Sequence, residues 1–467
     1  MSKKTIILFA AAVFTAITLA SCNKPNGPID NPDEPPEELP ENPPVQDLEP
    51  FKRSVPITMD WVYEGRPLFY IHVENPNDVE AEAKASVKIT TDKNKSVMTL
   101  EDSSMIPAKG SKDIPLCPEE NMEPGFYKAQ CRLNNKSARA QFGFGIDPTK
   151  IVSAPDKQPD FDEYWAAALQ QLNSIDLKAE LTEIPAYSSA ARKVYLVEMQ
   201  SVPDGPEGDP VIIRGYFCEP QDGKAHPVIM HFQGYDDLNP SGKLWVPYGG
   251  SSSEYSEFYL SHRGQYINNR KASQREDGID RDFANTYGDW FAFNFGVKDG
   301  YYYRGAYLDC VQAIHFMATR SSSDMNNVFA EGKSQGGALS YAAAALSDYP
   351  LRAIAPGVAF MGDFPDYFGI VSWPGNVAKS NKGSMTDEEM YAFLSYFDTK
   401  NLATRISCPV IANLGLQDDI CPPHTNMAPY NNLLSTDKEI HYYPEMGHSI
   451  PDDWEGKYMA FFKARLK

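Results

Sequence analysis

The chain has 467 residues and a formal net charge of -20, and hydrophobic residues make up 42% of it. Such a chain can form more than one packed domain, and its composition argues against wholesale disorder. The negative charge argues against a nucleic-acid partner, because duplex binding requires a basic face that neutralises phosphates. For the same reason we expect no basic patch that docks on anionic lipid.

The first 21 residues have the pattern of a signal peptide. Lys3 and Lys4 form a positive start, residues 5–19 are mostly apolar, and Leu19-Ala20-Ser21-Cys22 resembles a bacterial lipobox. In that motif the peptidase cuts before the cysteine, so Cys22 is the expected lipidation site. We therefore expect an exported bacterial lipoprotein of the outer membrane, facing the periplasm or the cell surface and attached through its lipid alone. An ordinary signal peptide with a chance cysteine is the alternative.

Residues 22–50 are predicted to form a tether. Nine prolines, Pro50 included, and eight acidic residues lie between residues 23 and 50, and hydrophobic residues are scarce there. Such a segment cannot bury a core and repels itself, so it stays extended. It would hold the folded part away from the membrane.

Residues 51–147 are predicted to form an all-β domain. Apolar and polar residues alternate from 127 to 133 and from 138 to 146, with Asn134-Asn135 between them. Alternation with a period of two on both arms indicates a hairpin with one buried face. Residues 68–73 fit a further strand. A domain of about a hundred residues with short strands predicts an immunoglobulin-like sandwich.

Six cysteines remain besides Cys22, and they form no CxxC pair and no zinc pattern. Cys117 and Cys131 lie in the same small domain, so an exported protein could join them in a disulfide. Six buried free thiols are the equal alternative.

Helical and strand-like patterns alternate from residue 155 to 467. Asp160 is expected to cap a helix whose apolar face includes Phe161, Trp165 and Leu172. Other strands are predicted at 211–216, 228–232, 328–332, 353–360, 410–414 and 440–443. Other helices are predicted at 302–318, 336–346 and 454–466. Thr386 and Glu389 form a capping box, which predicts a further helix that begins there. This alternation predicts an α/β fold with a mainly parallel sheet covered by helices.

The run Gly332-Lys333-Ser334-Gln335-Gly336 lies between the strand at 328–332 and a helix rich in alanine. Strand, GxSxG and helix in this order are typical of a nucleophile elbow, in which a tight turn exposes the serine oxygen at the carboxyl end of the sheet. Ser334 is therefore the candidate nucleophile. An ordinary turn that contains Gly and Ser is the alternative.

A serine nucleophile needs a base, and in this fold the acid and then the histidine follow the serine. His448 lies in a loop after the last strand and is the preferred base, whereas His441 falls within a predicted strand and His424 in a Pro-rich turn. Asp418 and Asp419 both follow the strand at 410–414. Spacing alone does not choose between these two acids.

Five motifs in order resemble the acetyl xylan esterase and cephalosporin C deacetylase family, carbohydrate esterase family seven, from about residue 155 to the end. They are Arg263-Gly264-Gln265, Tyr301-Tyr302-Tyr303-Arg304-Gly305, Gly332 to Gly336, Tyr396-Phe397-Asp398 with Asn401-Leu402-Ala403, and Gly415 to Pro423 followed by His448. The resemblance implies an α/β-hydrolase and an acid at the first aspartate, Asp418.

The resemblance also implies a role for each site residue. Ser334 would attack the ester carbonyl, His448 would carry the proton, and Asp418 would orient the imidazole. The backbone N–H groups of Gln335 and Tyr235 would hold the oxyanion. The run Arg263-Gly264-Gln265 is interpreted as a structural brace of the site.

Three positions depart from the family pattern: Gln233 in place of a histidine, Tyr266 in place of a glycine and Ser449 in place of a glutamate. They lie near the expected pocket, so they put the substrate preference in doubt and leave the mechanism intact. The family's oligomeric state is not carried over to this chain. No metal-ligand motif and no phosphate loop is present, so we expect no metal and no cofactor.

The leading hypothesis is an O-acetyl esterase that acts on acetylated plant polysaccharide or oligosaccharides. A peptidase of the prolyl-oligopeptidase type is a second hypothesis, although the β domain is too short for a propeller of four-stranded blades. A glycan-binding surface lipoprotein with an inert hydrolase domain is the third, and it would require a broken triad.

Overall fold

The computed structural model describes residues 48–55, 61–235, 253–265, 267 and 287–467. Residues 49–467 form one compact unit. The predicted signal peptide, the lipidation site Cys22, most of the tether and Tyr266 lie outside the described residues. Within the described ranges, no helix is both long enough and apolar enough to cross a membrane.

The amino-terminal part is a two-sheet β-sandwich. Its strands are β1 (Lys52–Ser54), β2 (Val62–Tyr63), β3 (Tyr70–Glu74), β4 (Ala81–Thr91), β5 (Ser96–Ile106), β6 (Ser111–Pro115), β7 (Gly125–Leu133) and β8 (Lys136–Ile146). One sheet has the order β1-β3-β6 and the other β2-β8-β7-β4-β5. In the immunoglobulin fold, strands A, B and E lie in one sheet and strands C, F and G in the other. Here β1, β3 and β6 correspond to A, B and E, and β4, β7 and β8 correspond to C, F and G. Strand β2 then continues β1, and β5 is an added strand.

The predicted hairpin is confirmed as β7 and β8, and Leu133 pairs with Lys136 across the turn. Asn134 and Asn135 both have positive φ, 47° and 61°, the backbone of a tight hairpin turn. Phe69 packs against Phe142 and Phe144 with ring centroids 5.5 and 4.9 Å apart, so the two sheets share an aromatic core.

Of the two alternatives left open for Cys117 and Cys131, the structure has the free thiols and not the disulfide. The Cys117 thiol instead donates to the carbonyl of Phe69 at 3.4 Å. Cys131 is fully buried, and burial raises the pKa of its thiol to about 12. A neutral buried thiol packs as a small apolar side chain.

A nine-stranded sheet forms the centre of the second part. Its strands are β9 (Glu180–Glu183), β10 (Arg192–Ser201), β11 (Val211–Pro220), β12 (His226–Phe232), β13 (Ser256–Ser261), β14 (Ser323–Lys333), β15 (Ala353–Gly357), β16 (Val410–Gly415) and β17 (Lys438–Tyr443). Their order is β17-β16-β15-β14-β12-β13-β11-β10-β9, and the run from β17 to β13 is parallel. The predicted α/β class with a mainly parallel sheet is confirmed.

Helices connect these strands and cover the sheet. Those in the described part are α1 (Phe161–Asn173), α2 (Tyr302–Ala318), α3 (Gln335–Leu346), α4 (Phe364–Ile370), α5 (Ser372–Asn381), α6 (Asp387–Leu394), α7 (Thr399–Ala403), α8 (Pro423–Asn432) and α9 (Trp454–Lys463). The capping box of Thr386 and Glu389 is confirmed at the start of α6. Helices α2 and α3 are buried along nearly their whole length, which fits their position against the sheet.

Two local predictions were wrong. Asp160 precedes α1 but makes no side-chain cap, because its carboxylate instead accepts hydrogen bonds from Lys298 and Tyr396. The strand predicted at 353–360 ends at Gly357, because the φ of Val358 is 39°, which is incompatible with the extended backbone of a strand. Tertiary contacts, which local patterns do not contain, decided both.

Candidate active site

Ser334 occupies a strained turn between β14 and α3. Its φ of 56° and ψ of -120° are rare for a residue with a side chain. A Cβ at Gly332 would lie 2.5 Å from the backbone of Gly336, and one at Gly336 would lie 2.2 Å from the carbonyl oxygen of Phe232. Both motif glycines are therefore required, because strand, turn and helix approach more closely than any side chain permits.

The acid loop and the histidine loop follow adjacent parallel strands. Gly415 at the end of β16 pairs with Tyr443 at the end of β17, so the loops that carry Asp418 and His448 begin side by side. A Cβ at Gly415 would lie 2.4 Å from the carbonyl oxygen of Met446. Only a glycine allows the two loops to pack this tightly.

Asp418 and His448 are hydrogen-bonded. His448 Nδ1 lies 2.8 Å from Asp418 Oδ2, and the Asp418 side chain is fully buried. The other carboxylate oxygen accepts from the backbone N–H groups of Ile420 and Cys421, both at 2.9 Å. The neighbouring Asp419 is exposed. Of the two acids that spacing left open, the structure therefore brings Asp418 to the histidine.

The Ser334 hydroxyl lies beside the acid loop, with its Oγ 4.0 Å from the thiol sulfur of Cys421. Within the part of the chain that the structure describes, Ser334 and His448 form no direct hydrogen bond. Catalytic hydrogen bonds are often long in a free enzyme and shorten in the substrate complex. The geometry is therefore compatible with Ser334 as the nucleophile and His448 as its base.

Gln335 and Tyr235 both lie at the same edge of the sheet as Ser334. Gln335 is the first residue of α3, where N–H groups have no acceptor inside the helix. Tyr235 follows β12, and β12 pairs with β14 so that Phe232 lies beside Gly332. The ring of Tyr235 packs against Trp290 and Trp373, with centroids 5.2 and 5.5 Å apart.

The side chain of Gln335 is held by a chain of hydrogen bonds. The Tyr303 hydroxyl donates to Gln335 Oε1 at 2.8 Å, and Gln335 Nε2 donates to His262 Nε2 at 2.8 Å. His262 Nδ1 lies 2.7 Å from the Tyr302 hydroxyl, which in turn donates to the carbonyl of Arg263. The chain requires a neutral His262, and burial lowers the pKa of this histidine to about 4.

Arg263 is buried in a network of acidic groups. Its guanidinium binds Asp309 through Nε and Nη2 at 3.0 and 2.7 Å, and Asp204 through Nη1 at 2.8 Å. A Cβ at Gly305 would lie 2.2 Å from this guanidinium, so the glycine of the tyrosine-rich motif leaves room for it. Gly264 has a φ of 77°, and Gln265 is buried. These contacts fit a structural brace between β13 and α2.

The two other late histidines are engaged elsewhere. His441 lies in β17, as predicted, and its Nε2 is 3.2 Å from Glu439. His424 Nε2 lies 3.0 Å from Asp363 and 3.2 Å from Asp366, and these carboxylates outweigh burial and raise the pKa of His424. Both histidines therefore contact acidic groups other than Asp418, which favours His448 as the base.

Asp363, Asp366 and His424 also form the group of described residues whose spacing suits a metal ion, with ligand atoms within 4.8 Å of one another. Their oxygens are already paired with cations. Lys400 Nζ lies 2.8 Å from Asp363, and Lys93 of the sandwich binds Asp366. A metal ion would have to displace both lysines, so we interpret the group as an ion-pair network.

The sandwich contacts both loops of the site. Gly143 of β8 donates its N–H to Gln417 Oε1 at 2.7 Å and accepts from Gln417 Nε2 at 3.1 Å. The same amide nitrogen of Gln417 donates to the carbonyl of Pro444 at 2.6 Å, in the histidine loop. Arg139 forms an ion pair with Glu445 at 2.7 Å.

The sequence patterns did not reveal three of these residues. Gln417 and Cys421 lie inside a recognised motif, but their partners are far away in sequence. His262 directly precedes the Arg263 motif, and this adjacency is the sequence feature that could have identified it as part of the site. None of the three follows from local spacing, because each acts through a contact formed only in the folded chain.

Comparisons with known proteins agree with this geometry. The acetyl xylan esterase (AXE1) family model matches residues 149–466, well over half of the chain. Acetyl esterase Axe7A of Xylanibacter ruminicola is 24% identical over 353 residues, which cover 74% of this chain and 75% of that protein.

Two solved structures are also similar. An acetyl xylan esterase from Paenibacillus sp. R4 is 27% identical, with a TM-score of 0.56, and the match covers 68% of this chain and 98% of that one. Acetyl xylan esterase 1 from Thermoanaerobacterium sp. JW/SL YS485 is 25% identical, with the same TM-score and coverage. The chain belongs to the acetyl xylan esterase (AXE1) family of carboxylic ester hydrolases.

Proposed function

We propose that the protein is a serine esterase that removes O-acetyl groups from acetylated plant polysaccharide of the xylan type or from its oligosaccharides. One observation carries the proposal: the strained turn at Ser334 and the hydrogen-bonded pair Asp418–His448 lie at the same edge of one parallel sheet. The family and the names of its solved members support the acetyl group and the carbohydrate.

In the first half of the reaction, Ser334 Oγ attacks the acetyl carbonyl carbon while His448 Nε2 accepts the hydroxyl proton. Asp418 accepts the Nδ1–H of His448, which keeps Nε2 free as a base and stabilises the imidazolium. The negative charge on the carbonyl oxygen is held by the N–H groups of Gln335 and Tyr235. Each such donor contributes about 3 kcal/mol to the stability of the transition state.

In the second half, the tetrahedral intermediate collapses and the sugar hydroxyl leaves with the proton from His448. Water then attacks the acetyl-serine, with His448 again as the base, and acetate departs. The hydrogen-bond chain from Tyr303 through Gln335 to His262 keeps the start of α3 in place during both halves. A fixed donor needs no reorganisation as the charge develops.

The test is acetate release from acetylated xylan and from 4-nitrophenyl acetate by the wild-type protein and by Ser334→Ala. We expect the variant to lose at least about a thousandfold in kcat, because the nucleophile is absent. Ser347→Ala is the matched control, since Ser347 lies at the opposite end of α3. Equal activity of Ser334→Ala and the wild type would refute the proposed mechanism.

A further inference from the structure

A cleft lies between the sandwich and the hydrolase part, and of the three triad residues Asp418 lines it. Its volume is about 420 Å³, within the range of about 300–1,000 Å³ that small-molecule sites occupy. One wall comes from strands β7 and β8 and the other from the start of α5 and the acid loop. The first wall includes Phe126, Lys128 and Gln141, together with Asp92 from the turn after β4. The second wall includes Ser372, Asp419 and Pro422.

The cleft is separated from the nucleophile by one layer of residues. Cys421 lies 4.0 Å from the Ser334 hydroxyl, and the next residue, Pro422, lines the cleft. Asp418 also belongs to both places, because its carboxylate binds His448 while its loop forms the cleft wall. The cleft therefore lies close to the nucleophile in space.

The lining has unused hydrogen-bonding groups. Gln141 and Ser372 are exposed, and their side chains form no hydrogen bond within the described ranges. Lys128 Nζ donates to Asn94 at 3.0 Å, which leaves two of its three hydrogens for a ligand. A ligand with hydroxyl groups, each of which donates and accepts, can satisfy such a mixed set.

The charges of the lining favour a neutral ligand. Asp92 and Asp419 outnumber Lys128 among the lining side chains that a ligand can reach, so an anionic sugar would meet repulsion. A wholly apolar ligand would leave the amide, hydroxyl and ammonium groups unsatisfied. Apolar atoms of Phe126 and Pro422 provide the surface against which a sugar ring can lie.

The position of the cleft is well defined. Gly143 packs so closely on the acid loop that a Cβ would lie 2.2 Å from the carbonyl oxygen of Leu416. The paired hydrogen bonds between Gly143 and Gln417 hold the same contact. A preformed cleft reduces the cost of ordering the protein when the ligand binds.

We propose that this cleft binds neutral sugar units next to the acetylated one, so that the sandwich is part of the glycan-binding site. The inference rests on the proposed function, because it assumes a glycan ester as the substrate. It assigns to the sandwich a binding role that the sequence patterns did not predict.

The experiment measures binding separately from catalysis. Unacetylated xylohexaose is titrated into the full-length protein by calorimetry, and into the double variant Lys128→Ala/Gln141→Ala. We expect the dissociation constant for xylohexaose to be about tenfold higher in the double variant, because two hydrogen-bonding groups are lost. Lys88→Ala/Gln130→Ala is the matched control, because these residues pair across β4 and β7 of the same sheet and do not line the cleft.

Three results would overturn the inference: no binding of xylohexaose by the wild-type protein, equal dissociation constants for the two double variants, or hexagalacturonate bound as tightly as xylohexaose. Kinetics provide the second measurement. The ratio of kcat/KM on acetylated xylo-oligosaccharides to that on 4-nitrophenyl acetate is expected to fall in the cleft variant and to stay constant in the control. Failure of the esterase function is read independently, from Ser334→Ala.

Discussion

At the scale of single residues, the site depends on the contacts that hold the acid Asp418 in place. Asp418 accepts three hydrogen bonds, because one oxygen accepts two backbone N–H groups and the other accepts from His448. Its position as the first acid of the loop agrees with the family resemblance. Asp419 is exposed and lacks these contacts.

Replacing Asp418 with asparagine tests this assignment. The amide can present an N–H to His448 Nδ1 and so favours the wrong tautomer, and we expect kcat to fall by about 10⁴-fold on 4-nitrophenyl acetate. The matched variant Asp419→Asn should lose less than about tenfold, since it does not orient the imidazole. Steady-state kinetics of both variants test this assignment. Similar losses of kcat in the two variants would contradict the choice of Asp418 as the catalytic acid.

At the scale of elements, strand β8 of the sandwich supports the acid loop. Gln417 joins three segments, because its amide pairs with Gly143 and also donates to Pro444 in the histidine loop. Its backbone N–H donates to the carbonyl of Met446 at 2.9 Å. The sandwich therefore contacts the residue that joins the loops of Asp418 and His448.

A methyl group at Gly143 should disturb this support. In Gly143→Ala the new Cβ would meet the Leu416 carbonyl oxygen, and the loop must shift. A displacement of about 1 Å in a catalytic group costs up to about a hundredfold, so we expect kcat on 4-nitrophenyl acetate to fall about ten- to a hundredfold. Gly125→Ala is the control, since the nearest atom to its Cβ, in Tyr127, is 3.4 Å away.

Combining Gly143→Ala with Gln417→Ala separates this link from a general loss of stability. Both substitutions break the same contact, so their effects should not add. The double variant should therefore be only slightly less active than the less active of the two single variants. The melting temperatures of all variants are measured alongside the kinetics. Equal activity of Gly143→Ala and Gly125→Ala would show that the loop does not depend on the sandwich.

At the scale of the whole molecule, the central sheet contains a buried ionic group. His231 of β12 lies 2.7 Å from Glu331 of β14 and 3.4 Å from Glu257 of β13, and Glu257 also binds Arg192 at 3.0 Å. Burial lowers the pKa of His231, but hydrogen bonds and the charges of both glutamates outweigh it and raise the pKa to about 9.

The folded state therefore holds this proton more tightly than the unfolded chain, in which the histidine pKa is 6.5. The stabilisation is fully present below pH 6.5 and is lost as the pH rises through about 9, a change of about 3 kcal/mol. Urea unfolding at about pH 6 and about pH 9.5 measures it. His231→Gln should reduce this dependence, whereas His441→Gln on the edge strand should keep it.

The sequence by itself determined the fold class, the order of most strands and helices, and the candidate nucleophile. Periodicity sufficed for these, because apolar residues alternate where a strand buries one face and recur at helical spacing where a helix does. The elbow glycines are equally local, since Gly332 and Gly336 must lack a side chain wherever strand and helix meet so closely. The lipid anchor at Cys22 stays a prediction.

Tertiary structure alone decided which distant groups meet. It placed the neutral His262 against Gln335, left Cys117 and Cys131 as free thiols, and brought Gly143 of the sandwich onto the acid loop. The pairing of Asp418 with His448 was already implied by the family resemblance, and the structure contains it. Such contacts connect residues up to hundreds of positions apart, and local patterns contain no information on which surfaces will pack. The cleft between the sandwich and the hydrolase part follows for the same reason, because it exists only where two independently patterned segments touch.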